Sequence, residues 1–224
     1  MSENRPEKAE AKTKKAGKEK KIRPVGRMYR VLWVLLAGPI RFFTRIHVHG
    51  RENEPAEGAC LVICNHLVWR DPITLCVCLR HRQPHFMAKK ELFKIPVLAQ
   101  LIRVFGAYPV NRGGADVKAI RYTIRMLEEG VTVGMFPQGH RYNGVDPRST
   151  RPKNGAAMMA LKAGVPILPM YIKVKGNKAK LFCRKDIYIG KPITPEELHY
   201  DPQSPGEYDR ITAELFERVC SLGE

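Results

Sequence analysis

The stretch ICNHLVWRDPI, residues 63–73, places a histidine and an aspartate five positions apart, after an apolar run and before a proline. On an α-helix, where each residue advances by about 100°, the side chains of His66 and Asp71 would point about 140° apart. On a strand, an odd separation would place them on opposite faces. The two side chains meet only if the chain turns between them. The stretch therefore predicts a strand that ends near His66 and a helix that begins near Asp71.

The residues on both sides support that boundary. The run CLVICNH, residues 60–66, is typical of a buried strand, and Asp71 followed by Pro72 is typical of a helix start, with aspartate as the N-cap. Open α/β sheets bind their ligands at the carboxyl ends of strands. A carboxylate bonded to one imidazole nitrogen leaves the other able to take a proton from a hydroxyl. The spacing by itself is equally consistent with an unrelated histidine beside a structural N-cap.

From about residue 45, strand-like and helix-like segments alternate, which predicts an α/β fold with a mostly parallel or mixed sheet flanked by helices. Neither a G-x-G-x-x-G nor a G-x-x-x-x-G-K-[ST] loop occurs, which argues against a nucleotide cofactor. The other predicted strands are residues 85–90, 106–112, 131–137, 165–174 and 180–190. The predicted helices are residues 72–80, 91–105 with a break at Pro96, 115–130, 154–164 and 206–222.

Two segments precede the domain that we predict over residues 45–224. Residues 1–25 are basic and almost without large apolar side chains, which predicts a disordered tail, either simply solvated or tethered to anionic lipid. Residues 26–44 contain an uncharged core, 31–40, that is too short to span a bilayer and is broken at Gly38 and Pro39. With Tyr29, Trp33 and flanking arginines, this segment predicts a helix at the membrane interface. The alternative is a helix packed onto the domain.

The composition indicates an anionic partner. The formal net charge is +17, with eleven Lys or Arg and four Glu among the first thirty residues, and the rest of the chain is also basic. Such a charge favours nucleic acid, an anionic membrane surface or a phosphorylated substrate. Because the basic residues are not interleaved with exposed aromatics, we expect no nucleic-acid partner. The six cysteines show no zinc-binding spacing, so we expect reduced core residues and no metal.

Four ordered blocks resemble the glycerolipid acyltransferase family, over about residues 45–195. The block NHLVWRD resembles the family's N-H-x-x-x-x-D, and FPQGHR resembles a block that is usually F-P-E-G-T-R. Gln138 therefore stands where glutamate is usual, and His140 where threonine is usual. One block alone would be weak evidence, whereas four in order with similar separations are specific. The blocks are residues 65–71, 86–112, 136–141 and 165–170.

The resemblance implies acyl transfer from a thioester co-substrate, acyl-CoA or acyl-carrier protein, with no bound cofactor. The implied acceptor is the sn-2 hydroxyl of 1-acyl-sn-glycerol 3-phosphate (lysophosphatidic acid), and the product is phosphatidic acid for phospholipid synthesis. His66 takes the place of the general base, and Asp71 orients it. We expect a peripheral enzyme at the cytoplasmic face of the cell membrane. The residues expected to bind the acceptor are Arg112, Arg141, Lys90, Gly139 and Gln138.

The departures from the family pattern leave the acceptor open. Gln138 carries no negative charge to hold an arginine or a substrate hydroxyl, although its amide can still bond to neighbours. Two alternatives follow: the same chemistry on another lysophospholipid or lipid hydroxyl, and a non-catalytic basic module that binds membrane or nucleic acid.

Overall fold

The computed structural model describes residues 25–111 and 116–224. Within these ranges the chain forms one sheet and six α-helices. The strands are β1 (Ile46–His49), β2 (Leu61–Cys64), β3 (His85–Lys89), β4 (Tyr108–Val110), β5 (Val133–Met135), β6 (Ile167–Lys173) and β7 (Lys185–Ile189). The helices are α1 (Arg27–Phe43), α2 (Asp71–Cys78), α3 (Pro96–Val104), α4 (Val117–Glu128), α5 (Gly155–Ala163) and α6 (Glu207–Ser221).

The seven strands lie in the order β1-β7-β6-β2-β5-β3-β4. From β6 to β4, each strand is parallel to its neighbours. β7 is antiparallel to β6, and β1 is parallel to β7. The predicted α/β fold with a mostly parallel or mixed sheet is therefore confirmed. Because β2, β3, β4 and β5 share one direction, their last residues lie along one edge of the sheet, which we call the carboxyl edge.

The sheet is covered on both faces, as the continuous apolar run of β2 predicts. Leu61 and Ile63 pack into one buried cluster with residues of α4, α5 and α6. Val62 and Cys64 point the other way, into a second buried cluster with residues of α1 and α2. A central strand buried on both sides has little freedom to shift, so the chain that leaves its carboxyl end starts from a fixed position.

Helix α1 continues through the break predicted within residues 26–44, and its Tyr29 and Trp33 side chains pack onto the domain. The helix does not break at Gly38 and Pro39 but continues to Phe43. Tyr29 and Trp33 do not face outward, because both donate hydrogen bonds to the carbonyl of Cys76 in α2, at 3.1 and 3.0 Å. The side of the helix that carries these aromatics is therefore packed onto the domain. Pro39 has no N–H to donate to the carbonyl of Leu35, so the helix lacks one hydrogen bond there. Leu35 itself is exposed.

The opposite side of α1 is apolar and uncovered. It carries exposed residues in every turn, so packing on the domain and an outward apolar face occur together in one helix. Within the described parts of the chain, no helix is both long enough and apolar enough to cross a membrane. The exposed apolar residues of α1 are Met28, Val31, Val34, Leu35, Leu36, Phe42 and Phe43.

Other predictions can be compared with the structure directly. A short 3-10 helix, Lys90–Lys94, precedes α3, so the break predicted at Pro96 is confirmed.

All six cysteines are free thiols; five are buried and Cys183 is half-buried. Burial raises the pKa of the Cys76 and Cys78 thiols to about 12, which keeps them protonated and unreactive. The tail predicted over residues 1–25 lies almost wholly outside the described residues.

Candidate active site

His66 and Asp71 meet at the carboxyl edge, as the five-residue interval predicts. The imidazole Nδ1 of His66 lies 2.8 Å from Oδ2 of Asp71. The carboxylate is almost fully buried, with 3% of its side chain exposed, whereas the imidazole keeps 14% exposure. A carboxylate only accepts hydrogen bonds, so Nδ1 carries the proton and Nε2 has a free lone pair. None of the described residues hydrogen-bonds to Nε2.

The turn that joins the two residues is held by the same carboxylate oxygen. Asp71 Oδ2 also accepts hydrogen bonds from the backbone N–H groups of Leu67, at 2.6 Å, and Val68, at 2.8 Å. Asp71 is the first residue of α2 and not its N-cap, a position that Arg70 occupies. The N-cap prediction is wrong by one residue because the aspartate turns back toward the preceding loop and does not cap its own helix. Its negative charge still lies at the helix N-terminus, where the dipole stabilises it.

The backbone of His66 is fixed from both sides by the loop that follows β5. The His66 N–H donates to Oε1 of Gln138 at 2.7 Å, and the His66 carbonyl accepts from the N–H of Tyr142 at 2.8 Å. Gln138 is 1% exposed, and its Nε2 donates to Oγ1 of Thr150 at 2.8 Å. Both ends of this amide are therefore bonded within the protein. Gln138 is therefore buried behind the backbone of His66.

Two aromatic rings support the imidazole. Phe136 stacks on His66 with 4.0 Å between ring centroids and 16° between planes, and Phe86 stacks on Phe136 at 5.7 Å. Gly134 in β5 makes room for this arrangement, since a Cβ atom there would lie 2.2 Å from the Phe86 ring. The apolar wall removes water from one face of the imidazole, which strengthens its bond to Asp71.

Gly139, Arg141 and Lys90 are exposed in the segments that follow β5 and β3 at the same edge. Gly139 has φ +69°, a left-handed conformation that favours glycine, and a Cβ atom there would lie 3.1 Å from Cε of Lys153. Arg141 is exposed and directly precedes Tyr142, which bonds to His66. Lys90 is exposed and directly follows β3. Arg112 falls outside the described residues, two positions after the end of β4.

Asn65 is an element of the site that our sequence analysis does not single out. It is fully buried, its Oδ1 accepts from the Ile172 N–H at 2.8 Å, and its Nδ2 donates to the Ile172 carbonyl at 3.1 Å. The side chain thus extends the pairing of β2 with β6 by one step, directly before His66. A polar residue that ends a buried apolar run is the sequence signal that points to such a role.

A cleft of about 480 Å³ lies elsewhere, between α1 and the segment before β3. It is lined by Tyr29, Trp33 and Arg80, among others, and His66 does not contribute to it. We therefore do not assign this cleft to the reaction. Among the described residues, no group of three or more His, Cys, Asp or Glu is placed to hold a metal ion.

Comparison with known proteins identifies the family. A family model described as Acyltransferase matches residues 45–173, which include all four sequence blocks. The 1-acyl-sn-glycerol-3-phosphate acyltransferase of Bacillus subtilis is 31% identical over 179 residues, covering 79% of this chain and 87% of the relative. That of Streptococcus pneumoniae is 32% identical over 156 residues, covering 68% of this chain and 57% of the relative.

A solved structure supports the same assignment. The crystal structure of the 1-acyl-sn-glycerophosphate (LPA) acyltransferase from Thermotoga maritima superposes with a TM-score of 0.62 at 25% identity. The match covers 85% of this chain and 78% of that one. The matched residues and the fold agree with these relatives, and the chain is an enzyme that belongs to the acyltransferase family.

Proposed function

We propose that this enzyme transfers a fatty acyl group from acyl-CoA or acyl-carrier protein to the sn-2 hydroxyl of 1-acyl-sn-glycerol 3-phosphate. The observation that carries the proposal is the 2.8 Å contact between His66 Nδ1 and the buried carboxylate oxygen Oδ2 of Asp71. Nε2 of His66 takes the hydroxyl proton while the oxygen attacks the thioester carbonyl. A new ester C–O bond forms, the C–S bond breaks, and the proton passes to the leaving thiolate. Asp71 stabilises the imidazolium between the two proton transfers.

The reaction as proposed needs no bound cofactor and no covalent acyl-enzyme. The backbone N–H groups of His66, Leu67 and Val68 are already bonded to side chains, so the oxyanion of the tetrahedral intermediate requires other donors. We assign the acceptor phosphate to Arg141 and Lys90, which follow strands at the carboxyl edge, and to Arg112, which the sequence resemblance implies, because guanidinium and ammonium groups attract a dianion. Lys153, whose side chain covers Gly139, adds a fourth positive charge beside the same loop.

The test of the reaction is a thiol-release assay on purified protein with acyl-CoA or acyl-carrier protein and a panel of lysophospholipid acceptors. We expect the fastest release with 1-acyl-sn-glycerol 3-phosphate and a loss of about 10²–10⁴-fold in the His66→Ala variant, the range of a general base. The matched control is His140→Ala, an exposed histidine in the neighbouring loop. Faster thiol release with another acceptor would identify that acceptor as the substrate in place of 1-acyl-sn-glycerol 3-phosphate. Thiol release that is insensitive to His66→Ala would overturn the mechanism.

We further propose that the exposed side of α1 rests on the anionic cytoplasmic face of the cell membrane. Exposed apolar side chains of α1, with Arg27, Arg30 and Arg45 around them, fit the boundary between headgroups and acyl chains. The names of the relatives specify a lipid acceptor, which such a position would bring to the enzyme.

Point variants test the membrane contact better than truncation, because Tyr29 and Trp33 of α1 are part of the fold. In the full chain, Val34→Glu combined with Leu35→Glu should weaken binding to vesicles of anionic phospholipid by at least about 10-fold. The matched control introduces a glutamate at Val117, another exposed valine, in α4. Unchanged sedimentation of the α1 variant with vesicles would exclude this face as the contact.

A further inference from the structure

Gln138 connects His66 to a segment twelve residues further along the chain, and the direction of each hydrogen bond is determined. The His66 N–H can only donate, so the Gln138 atom 2.7 Å from it is the carbonyl oxygen Oε1. The amide nitrogen Nε2 therefore faces Oγ1 of Thr150, at 2.8 Å. Rotating the amide by half a turn would bring two donors together at His66.

The Thr150 hydroxyl is itself oriented. It lies 2.6 Å from the carbonyl of Pro147, to which it donates its one hydrogen. Its lone pairs are then directed at Gln138, which supplies a hydrogen through Nε2. The short 3-10 helix Pro147–Ser149 that carries this segment is anchored to α6, since Arg148 lies 2.8 Å from the carboxylate of Glu217. A continuous series of bonds therefore runs from the body of the domain to the backbone of His66.

We propose that Gln138 and Thr150 form a positioning pair that holds the backbone of His66 in the position that proton transfer by its imidazole requires. The inference rests on the proposed function, in which His66 is the base. Neither residue touches the reacting atoms in this assignment. Gln138 acts on the N–H of His66, and Thr150 acts on the orientation of the Gln138 amide.

The kinetic effects of removing Gln138 or Thr150 distinguish a positioning role from a role in binding the acceptor. A residue that positions the base changes kcat and leaves the KM for the acceptor unchanged, because it acts on the chemical step. Thr150 acts only through Gln138, so its removal has no further effect once the amide is gone. Binding of the acceptor by Gln138 would instead raise KM.

The experiment is a double-mutant cycle with Gln138→Met, which keeps length and shape, and Thr150→Val, which removes only the hydroxyl. We expect Gln138→Met to lower kcat by about 10-fold, Thr150→Val by about 3-fold, and the double variant by no more than Gln138→Met alone. The acceptor KM should stay within about 2-fold of the wild-type value in all three. Thr150→Ser, which keeps the hydroxyl, should restore most of the kcat.

Two buried residues outside the site provide matched controls. Gln83 also bridges an N–H and a carbonyl, those of Gly26 and Val104, and Thr123 also donates to a backbone carbonyl, that of Ala119. Gln83→Met and Thr123→Val should lower thermal stability without lowering kcat. If Gln138→Met does not fold, Thr150→Val against Thr150→Ser decides the question.

Several results would overturn the inference while leaving the proposed function intact. These are an unchanged kcat in an active enzyme, a rise in acceptor KM at constant kcat, and multiplication of the two single effects in the double variant. Failure of the proposed function looks different, because the wild-type enzyme itself would then release no thiol with 1-acyl-sn-glycerol 3-phosphate.

Discussion

Two histidine–aspartate contacts of similar length occur in the part of the chain that the structure describes, in different surroundings. His66 Nδ1 lies 2.8 Å from Asp71 at the end of β2, and His49 Nε2 lies 3.0 Å from Asp186 across the outer strands β1 and β7. In the first contact the side chains are 14% and 3% exposed. In the second they are 45% and 18% exposed. Both imidazoles also stack on an aromatic ring, Phe136 at 4.0 Å and Tyr188 at 4.7 Å.

The remaining partners separate the two contacts chemically. Asp71 receives two backbone N–H groups besides the imidazole, and these hold its carboxylate beside His66 without neutralising it. Asp186 is bound by Arg184, which together with His49 holds the pKa of Asp186 at about 2. His49 uses Nε2 for its contact, whereas His66 uses Nδ1 and leaves Nε2 for a substrate. Under the proposed mechanism, burial, backbone donors and the choice of ring nitrogen, more than contact distance, therefore distinguish the base His66 from His49.

The largest effect on kcat is expected from removing the carboxylate of each histidine–aspartate pair in turn. Asp71→Asn should lower kcat by about 10²–10⁴-fold, because the imidazolium loses its stabilising charge and the amide can stabilise the wrong tautomer. Asp186→Asn is the matched control and should leave kcat within about 2-fold of the wild-type value. Initial rates of thiol release at saturating substrates measure both. Equal losses would mean that the two contacts differ less than their surroundings indicate.

A smaller effect is expected from the aromatic rings beneath the imidazoles. Phe136→Leu should lower kcat by about 3–10-fold, since stacked aromatic pairs contribute about 0.5–1.5 kcal/mol and this one orients the base. Tyr188→Leu removes the equivalent ring from His49 and should leave kcat unchanged. The same thiol-release assay applies, with circular dichroism to verify folding. A loss of kcat in Tyr188→Leu would indicate that the two ends of the sheet are coupled.

The sequence predicts the His66–Asp71 contact because the contact is local. Five residues that include a strand end and a helix start leave few arrangements, and the geometry of each can be worked out from helix and strand periods. The support for His66 is not local. Gln138 lies 72 residues away and Ile172, the partner of Asn65, lies 107 residues away from it. Such pairings depend on the order of strands in the sheet, which hydrophobic pattern alone does not determine.

The segment 26–44 shows a competition between two sequence signals. Tyr29 and Trp33 next to arginines are typical of a membrane interface, which is why the segment predicts an interfacial helix. They also lie four residues apart, with Ala37 four further on, so all three fall on one side of a helix. The structure follows this second signal, since Tyr29 and Ala37 are buried. A small residue on such a stripe allows close packing and is the better indicator of the buried side.

The smallest expected effect is on the free energy of unfolding, and it concerns the contact between His49 and Asp186 on the outer strands. The pKa of Asp186 lies at about 2, below its ordinary value of 3.8, chiefly because of Arg184. Above pH 3.8 the carboxylate is charged in both folded and unfolded chains, and its contribution to the free energy of unfolding is fully present. As the pH falls from 3.8 toward about 2, the unfolded chain takes up a proton first and the contribution disappears.

Urea unfolding of the wild-type protein and of Asp186→Asn measures this contribution directly. The wild-type protein should be more stable by at most about 1 kcal/mol near pH 5, because the ion pair is partly exposed and screened by water. The difference should vanish near pH 2. A difference that stays constant with pH would mean that packing around residue 186, and not its charge, supplies the stability. The same substitution is expected to leave kcat within about 2-fold of the wild-type value. Although both aspartates bind a histidine, Asp186 would therefore stabilise the outer strands, whereas Asp71 would serve the reaction.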